Sequence, residues 1–233
     1  QLFRPPSDTW HTQHEIDTYV TIPTWLCQVG YSVRDMPGVE VEIIDGHRKP
    51  LDWVIDQFDA DFIGISDTYT AHGNTIKMAK AAKAKGSKVI VGGVNVRHLA
   101  ERIVKNHACI DIAVYGDGEI ALPGIIKGNM QDTPNIITQT PCGSHITPYR
   151  EARLNTIFDL EDIRDKPSID PSKALTISQI RGCIKAEQND RCGFCSLDHG
   201  LKVMNAKRSW QQLRLFHERY GYTKFFESGD SFM

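Results

Sequence analysis

Residues 62–92 read FIGISDTYTAHGNTIKMAKAAKAKGSKVIVG, and this stretch decides the fold class. It opens with a short apolar run, Phe62–Ser66, and closes with a second one, Lys88–Gly92, that is rich in β-branched residues. Between them, residues 72–85 are rich in alanine and lysine and carry apolar side chains at helical spacing. Short apolar strands separated by a helix are typical of a parallel sheet that is covered on both faces. The stretch therefore predicts a strand–helix–strand unit of an α/β fold.

The same alternation continues on both sides of this unit. Further strands are predicted at residues 39–45 and 110–115, and further helices at 51–58, 96–106 and 119–127. The pattern predicts that residues 1–138 form a doubly wound, Rossmann-like parallel sheet. Right-handed crossovers place the carboxyl ends of such strands at one edge of the sheet, which is where ligands bind.

The turns that follow three of these strands supply the candidate ligand-binding residues. They are Ser66, Asp67, Thr68 and Tyr69, then Gly92, Gly93 and Val94, and finally Gly116, Gly118 and Glu119. Glycine lets a ligand approach the backbone, and the helix that follows each turn offers free N–H groups. Ordinary capped turns between strand and helix remain the alternative. The sequence has neither a G-x-G-x-x-G motif after the first predicted strand nor a P-loop, which disfavours a nicotinamide dinucleotide or ATP.

The second half of the chain has a different character. Residues 139–173 contain four prolines and little periodicity, and we interpret them as a linker. A strand at 174–180, a helix at 210–220 with Ser209 as its N-cap, and a strand at 222–227 follow. This order predicts that residues 174–233 begin a (β/α) barrel that stops after its second strand. The chain begins with Gln1 and ends just after that strand, so we expect it to be part of a longer protein.

Three cysteines stand close together in the second half, with the spacing C-x8-C-x2-C. They are Cys183, Cys192 and Cys195. Thiolates are soft ligands that select zinc, Cu(I) or iron–sulfur clusters. Together with His199 they offer a structural Cys3His zinc site, which is the alternative to a cluster and would make the chain an α/β ligand-binding module. Three cysteines on a [4Fe–4S] cluster leave one iron free to bind another molecule.

Composition and charge limit the class of protein. The formal net charge is −2, and no basic tail suggests a nucleic-acid partner. No apolar run approaches the roughly 20 residues of a membrane span, and no signal peptide opens the chain. We therefore expect a cytoplasmic protein with reduced cysteines and no membrane partner.

Several of these features resemble one family. The Cys192-Gly193-Phe194-Cys195 stretch resembles the second half of the radical S-adenosylmethionine (radical SAM) motif, and Cys183 resembles its first cysteine. The segment from Glu227 through Ser228 and Gly229 to Asp230 is similar to the Gly-Gly-Glu region of that family. Ile43–Asp45, the Ser66 turn, Gly92-Gly93 and residues 115–119 resemble a cobalamin-binding domain. The chain thus resembles the radical SAM proteins that contain a cobalamin (B12)-binding domain.

That resemblance implies cofactors and residue roles. Cys183, Cys192 and Cys195 would ligate a [4Fe–4S] cluster whose open iron binds S-adenosylmethionine, and reductive cleavage there would start radical chemistry. Methylation of an unreactive carbon from methylcobalamin is the expected outcome, with cyclisation or rearrangement without cobalamin as the alternative. Phe194 would lie near the cluster, and Glu227, Ser228, Gly229 and Asp230 would contact the methionyl group. The three edge turns would line the corrinoid.

The resemblance also implies partners. Besides the barrel that stops after its second strand, the sequence departs from the family in two places. The expected partners are a small-molecule or peptide substrate and an electron donor such as flavodoxin or ferredoxin. The first cysteine interval has eight residues where the family has three. The D-x-H-x-x-G motif is absent, so we expect no histidine ligand to cobalt from this chain.

Overall fold

A computed structural model of the chain describes residues 1–7, 13–165, 168–188, 190, 192, 195 and 200–229. The chain divides into two compact units. The first comprises Gln1–Trp10, Leu26–Ala152 and Leu160–Lys166, and the second comprises His11–Trp25, Arg153–Asp159 and Pro167–Met233.

The described strands and helices alternate through most of the chain. The strands are β1 (Leu2–Arg4), β2 (Tyr19–Val20), β3 (Ile43–Asp45), β4 (Phe62–Ser66), β5 (Lys88–Gly92), β6 (Ile112–Val114), β7 (Ile136–Thr140), β8 (Gly143–Ile146), β9 (Ile163–Arg164), β10 (Ala174–Ile177), β11 (Ile180–Arg181), β12 (Lys202–Val203) and β13 (Phe225–Glu227). The helices are α1 (Gln13–Thr18), α2 (Thr24–Arg34), α3 (Leu51–Asp56), α4 (His72–Ala84), α5 (Val96–Asn106), α6 (Gly118–Ile126), α7 (Ile184–Glu187) and α8 (Ala206–Tyr220).

The first unit is built on one mostly parallel sheet with the strand order β8-β7-β6-β5-β4-β1-β3-β9. Strands β6, β5, β4, β1, β3 and β9 run parallel to one another. Strands β7 and β8 form an antiparallel hairpin, and β7 pairs antiparallel with β6. Side chains from the strands and from α3, α4 and α5 bury one apolar core, which includes Phe3, Ile63, Val89, Val54, Met78 and Ile103. The expectation of a mixed α/β fold with a parallel sheet is confirmed.

The strand order changes direction beside β1. The chain leaves β1 to form β3 on one side, and then returns to form β4 on the other side. Counted over β1, β3, β4, β5 and β6, the order is 2-1-3-4-5. In such sheets the crevice between the two strands where the order reverses is the usual place for a ligand. The carboxyl ends of β1 and β4 are therefore the centre of the candidate site.

The interpretation of residues 139–173 as an irregular linker is wrong in two places. Residues 136–146 form the β7–β8 hairpin, which pairs with β6, and β9 adds to the far side of the same sheet. The hairpin turns at Cys142 and at Gly143, whose φ is +125°. A polar strand at the margin of a sheet has no continuous apolar run, and this explains why its sequence reads as a loop.

The second unit contains a parallel three-stranded sheet with the order β13-β10-β2. The predicted strand at 174–180 is in fact two strands, because β11 leaves β10 and pairs antiparallel with β12. The predicted N-cap is also wrong. Asn205, not Ser209, caps α8, because its side chain accepts a hydrogen bond from Lys207 N. A barrel remains a prediction for this unit.

No helix in the described part of the chain combines the length and the apolar character that crossing a bilayer requires.

Candidate functional site

The segments that follow β1 and β4 are joined to each other at the carboxyl edge of the first sheet. Ser7 Oγ lies 3.1 Å from Thr70 Oγ1, and the Asn74 side-chain nitrogen donates to the Pro6 carbonyl over 3.2 Å. A short 3-10 turn over residues 69–71 leads from the end of β4 into α4. These contacts fix the two walls of the crevice at the point where the strand order reverses.

A polar cluster of Asp67, His72 and Asn95 lies at this edge. Asp67 Oδ2 lies 2.9 Å from His72 Nδ1 and accepts a hydrogen bond of 2.7 Å from Asn95 Nδ2. The same Asn95 nitrogen lies 3.2 Å from His72 Nδ1. The Asp67 side chain is fully buried, and its other oxygen, Oδ1, has no hydrogen-bond partner among the described residues. The cluster thus holds an imidazole in a fixed orientation and retains one unused buried acceptor.

Gly93 lets the turn after β5 approach the turn after β4. Its φ is +108°, and a Cβ at this position would collide with the Asp67 carbonyl oxygen and lie 2.9 Å from the Asp67 nitrogen. Asp67 N donates to the Gly92 carbonyl over 2.6 Å, and Asn95 N donates to the Asp67 carbonyl. The two predicted turns are therefore one continuous backbone surface.

Apolar side chains are exposed on this surface. Tyr69 is 87% exposed and Val94 is 73% exposed, which are the largest values among the exposed large hydrophobic residues of the described chain. Ser66, Thr68 and Gly92 are partly exposed beside them. An exposed apolar patch that is flanked by polar groups and open backbone suits the face of a large, flat ligand.

The turn after β6 has a clear structural role. Asn135, whose φ is +66°, packs against Gly116. A Cβ on Gly116 would lie 2.6 Å from Cγ of the Asn135 side chain. The Asp117 carboxylate accepts from Ala152 N over 2.7 Å, and a Cβ on Gly118 would lie 3.0 Å from Val29. Glu119, which follows in the first turn of α6, is partly exposed. A corrinoid contact for Gly116, Gly118 and Glu119 stays a prediction.

The three cysteines lie in one loop whose base is closed by β11 and β12. Ile180 pairs with Val203 and Arg181 with Lys202, so the base encloses residues 182–201. Cys183 is the N-cap residue of α7, and this single helical turn takes up part of the long interval before Cys192. Cys195 N donates to the Cys192 carbonyl over 2.9 Å. Cys192 is exposed, whereas Cys183 and Cys195 are partly buried.

The described residues do not assemble these thiols into a ligand set. No group of three or more His, Cys, Asp or Glu side chains among them is placed to hold a metal ion. Phe194, Asp230 and His199, which we also predicted near this site, lie outside the described residues. The metal-binding roles of Cys183, Cys192 and Cys195 stay predictions.

Glu227 supports the start of the cysteine loop. Both of its carboxylate oxygens lie 3.0 Å from Gln179 N, which donates to them, and the backbone N–H groups of Ile180 and Gly229 donate to it as well. Burial nevertheless raises the pKa of Glu227 above its ordinary value. Ser228 donates from both N and Oγ to the Ile177 carbonyl, each over 2.8 Å. The carboxylate that we assigned to a cofactor contact is thus engaged with three backbone amides.

Sequence reasoning missed His72 and Asn95. Both residues follow the carboxyl end of a strand by only a few residues, and the two turns are neighbours at one edge of the sheet. This is the signal that could have revealed them. His107 was missed as well. Its ring centroid lies 6.2 Å from that of His72, and burial, His72 and Lys80 lower its pKa.

Comparison with known proteins shows what the region that carries this edge is similar to. Residues 18–126 match the model of the B12 binding domain. A Pyrococcus horikoshii protein named as an uncharacterized methyltransferase is 33% identical over 223 residues, and the alignment covers 85% of this chain. The chain spans about half the length of that relative, because the aligned region covers 46% of it. The carboxyl ends of β4 and β5 described above lie within the region that matches this B12 binding domain model.

Proposed function

We propose that this chain is the corrinoid-binding part of a cobalamin-dependent methyltransferase. The observation that carries the proposal is the match of residues 18–126 to the B12 binding domain. The methyltransferase name of the Pyrococcus relative supports the type of reaction. When bound, cobalamin supplies a methyl group carried on cobalt.

The residues at the carboxyl edge fit a corrinoid. Tyr69 and Val94 present an exposed apolar surface to the face of the macrocycle. Gly92 is partly exposed and Gly93 is exposed, so backbone is accessible beside it. In this arrangement the chain binds and orients the cofactor and keeps water away from its buried face.

We expect Val94→Asp to weaken corrinoid binding by about tenfold or more, because a charge must be desolvated under an apolar ring system. Val94 is exposed, so the folded structure should tolerate the change. Val203→Asp is the matched control, since Val203 is also an exposed valine but lies on β12 in the second unit. Cobalt content after equilibration with hydroxocobalamin and gel filtration measures the effect. Equal cobalt in both variants would contradict a site at this edge.

For the second unit, we propose that Cys183, Cys192 and Cys195 hold a [4Fe–4S] cluster that binds S-adenosylmethionine, as in radical SAM enzymes. The proposal is supported by three thiols in one loop, which is closed at its base by β11 and β12 and follows a parallel strand. Such a cluster supplies the electron that cleaves S-adenosylmethionine. The substrate, whether a small molecule or a peptide, and an electron donor such as flavodoxin or ferredoxin belong to the same proposal.

The metal content of anaerobically purified protein separates the two metals that suit these thiols. We expect about four irons per chain by mass spectrometry, and loss of nearly all of that iron in Cys192→Ser. Cys142→Ser is the matched control, because Cys142 is an exposed thiol in the β7–β8 turn of the first unit. One zinc per chain without iron would contradict the cluster and favour a structural zinc site.

A further inference from the structure

We propose that His72 coordinates the cobalt of the bound corrinoid through Nε2, and that Asp67 and Asn95 orient it for this role. The inference rests on the proposed corrinoid binding. It reverses the expectation, drawn from the missing D-x-H-x-x-G motif, that no histidine of this chain reaches cobalt.

The hydrogen bonds of the cluster fix which ring nitrogen of His72 is available. A carboxylate oxygen can only accept, so the contact of 2.9 Å with Asp67 Oδ2 requires the proton on Nδ1. Asn95 Nδ2 donates to the same Asp67 oxygen over 2.7 Å, so Asp67 Oδ2 is in contact with both other residues of the cluster. In a neutral imidazole this arrangement leaves the lone pair on Nε2. That nitrogen is the one that histidine most often offers to a metal when a carboxylate holds the other.

The position of His72 suits this role. It is the first residue of α4, two residues after the segment that carries Tyr69 and Thr70, and its side chain is 35% exposed. Nε2 has no hydrogen-bond partner among the described residues, because the hydrogen bonds of this side chain there are all made by Nδ1. The imidazole is thus held at Nδ1 by Asp67 and is partly exposed to solvent.

The burial of Asp67 gives a second, independent reason. A fully buried carboxylate with one unpartnered oxygen is costly unless a nearby group carries positive charge. Among the described residues, the hydrogen-bond partners of this carboxylate are His72 and Asn95. A metal ion on Nε2 polarises the ring and strengthens the hydrogen bond from Nδ1 to the carboxylate. Coordination would therefore stabilise the acid that the fold has buried.

The test is electron paramagnetic resonance of the full chain loaded with cob(II)alamin under anaerobic conditions. One coordinated 14N nucleus splits each resolved cobalt line into three, whereas one 15N nucleus splits it into two. Protein labelled with 15N only in histidine distinguishes a protein ligand from the cofactor's own unlabelled base. We expect a twofold splitting in the labelled protein, its loss in His72→Gln with cobalt still bound, and its retention in His107→Gln. Asp67→Asn should weaken cob(II)alamin binding by about 10–100-fold while binding remains measurable.

The other outcomes separate this inference from the proposed function. Bound cobalt with no nitrogen splitting, or with a threefold splitting in the labelled protein, would overturn His72 as ligand and leave corrinoid binding intact. A twofold splitting that persists in His72→Gln would assign the ligand to another histidine and also overturn the inference. Failure of the wild-type chain to retain any cobalt would overturn the proposed function and the inference together.

Discussion

Replacing Gly93 by alanine is expected to destabilise the first unit by about 2–5 kcal/mol and to abolish the proposed corrinoid binding. The residue has a φ of +108°, which costs an L-amino acid roughly 1–2 kcal/mol. The new Cβ would also overlap the Asp67 carbonyl, and overpacking against fixed atoms adds roughly 1–3 kcal/mol. The partner atoms are backbone, so they cannot rotate away. The two turns would have to separate, and the Asp67 cluster would open with them.

Gly128→Ala is the matched control for this prediction. Gly128 has a φ of +76°, but no atom lies within 4 Å of the position of its Cβ. It should therefore show only the conformational cost of roughly 1–2 kcal/mol. Native-state hydrogen exchange of the amides in β4 and β5 measures the first unit separately from the second. If both alanine variants lose the same protection, the close approach of Gly93 to Asp67 does not matter for stability.

The sequence predicts best those elements whose signal is local. Phe62–Ser66, Lys88–Gly92 and Val96–Asn106 have the bounds that their patterns predict, because each is a complete apolar run or a complete helical stripe. Pairing between distant segments leaves no such signal. In strand β2, Tyr19 pairs with Ala174, which lies far away in the sequence. Strand β2 has only two residues, and so short a strand has no recognisable sequence pattern. The β7–β8 hairpin was missed for a related reason, since Gln139 and His145 interrupt its apolar residues.

The candidate site shows the same division. The edge rule for parallel sheets locates Asp67 and Gly93, since both follow a recognisable strand. It does not reveal that Asp67 is fully buried or that Asn95, 28 residues later, donates to its carboxylate. A sequence motif does not show which backbone groups donate hydrogen bonds to a side chain. The similarity of Glu227 to a cofactor-binding region therefore gave no hint that three backbone amides already use its carboxylate.

We expect Glu227→Ala to destabilise the base of the cysteine loop by about 2–4 kcal/mol, because it leaves partly buried N–H groups without an acceptor. The amides concerned belong to Gln179, Ile180 and Gly229. Their hydrogen exchange should accelerate, and Cys183, which follows Ile180 by three residues, should react faster with a thiol reagent.

Glu218→Ala is the matched control, since Glu218 is an exposed glutamate on α8 whose contact with Arg214 is 4.0 Å long. It should change stability by less than about 0.5 kcal/mol. Equal effects of both variants would contradict the support that we assign to Glu227.

The pH dependence of Glu227→Gln tests the same contact with the fold preserved. Burial raises the pKa of Glu227, so folding favours its protonated form. Its contribution to stability is thus fully present below the ordinary pKa of glutamate and is lost as the pH rises through the raised pKa. Glutamine does not titrate. The difference in unfolding free energy between the wild type and Glu227→Gln should therefore narrow as the pH rises through that window. A difference that stays constant from acid to neutral pH would mean that Glu227 titrates as an exposed side chain and that the strand ends are held by the Ser228 contacts alone.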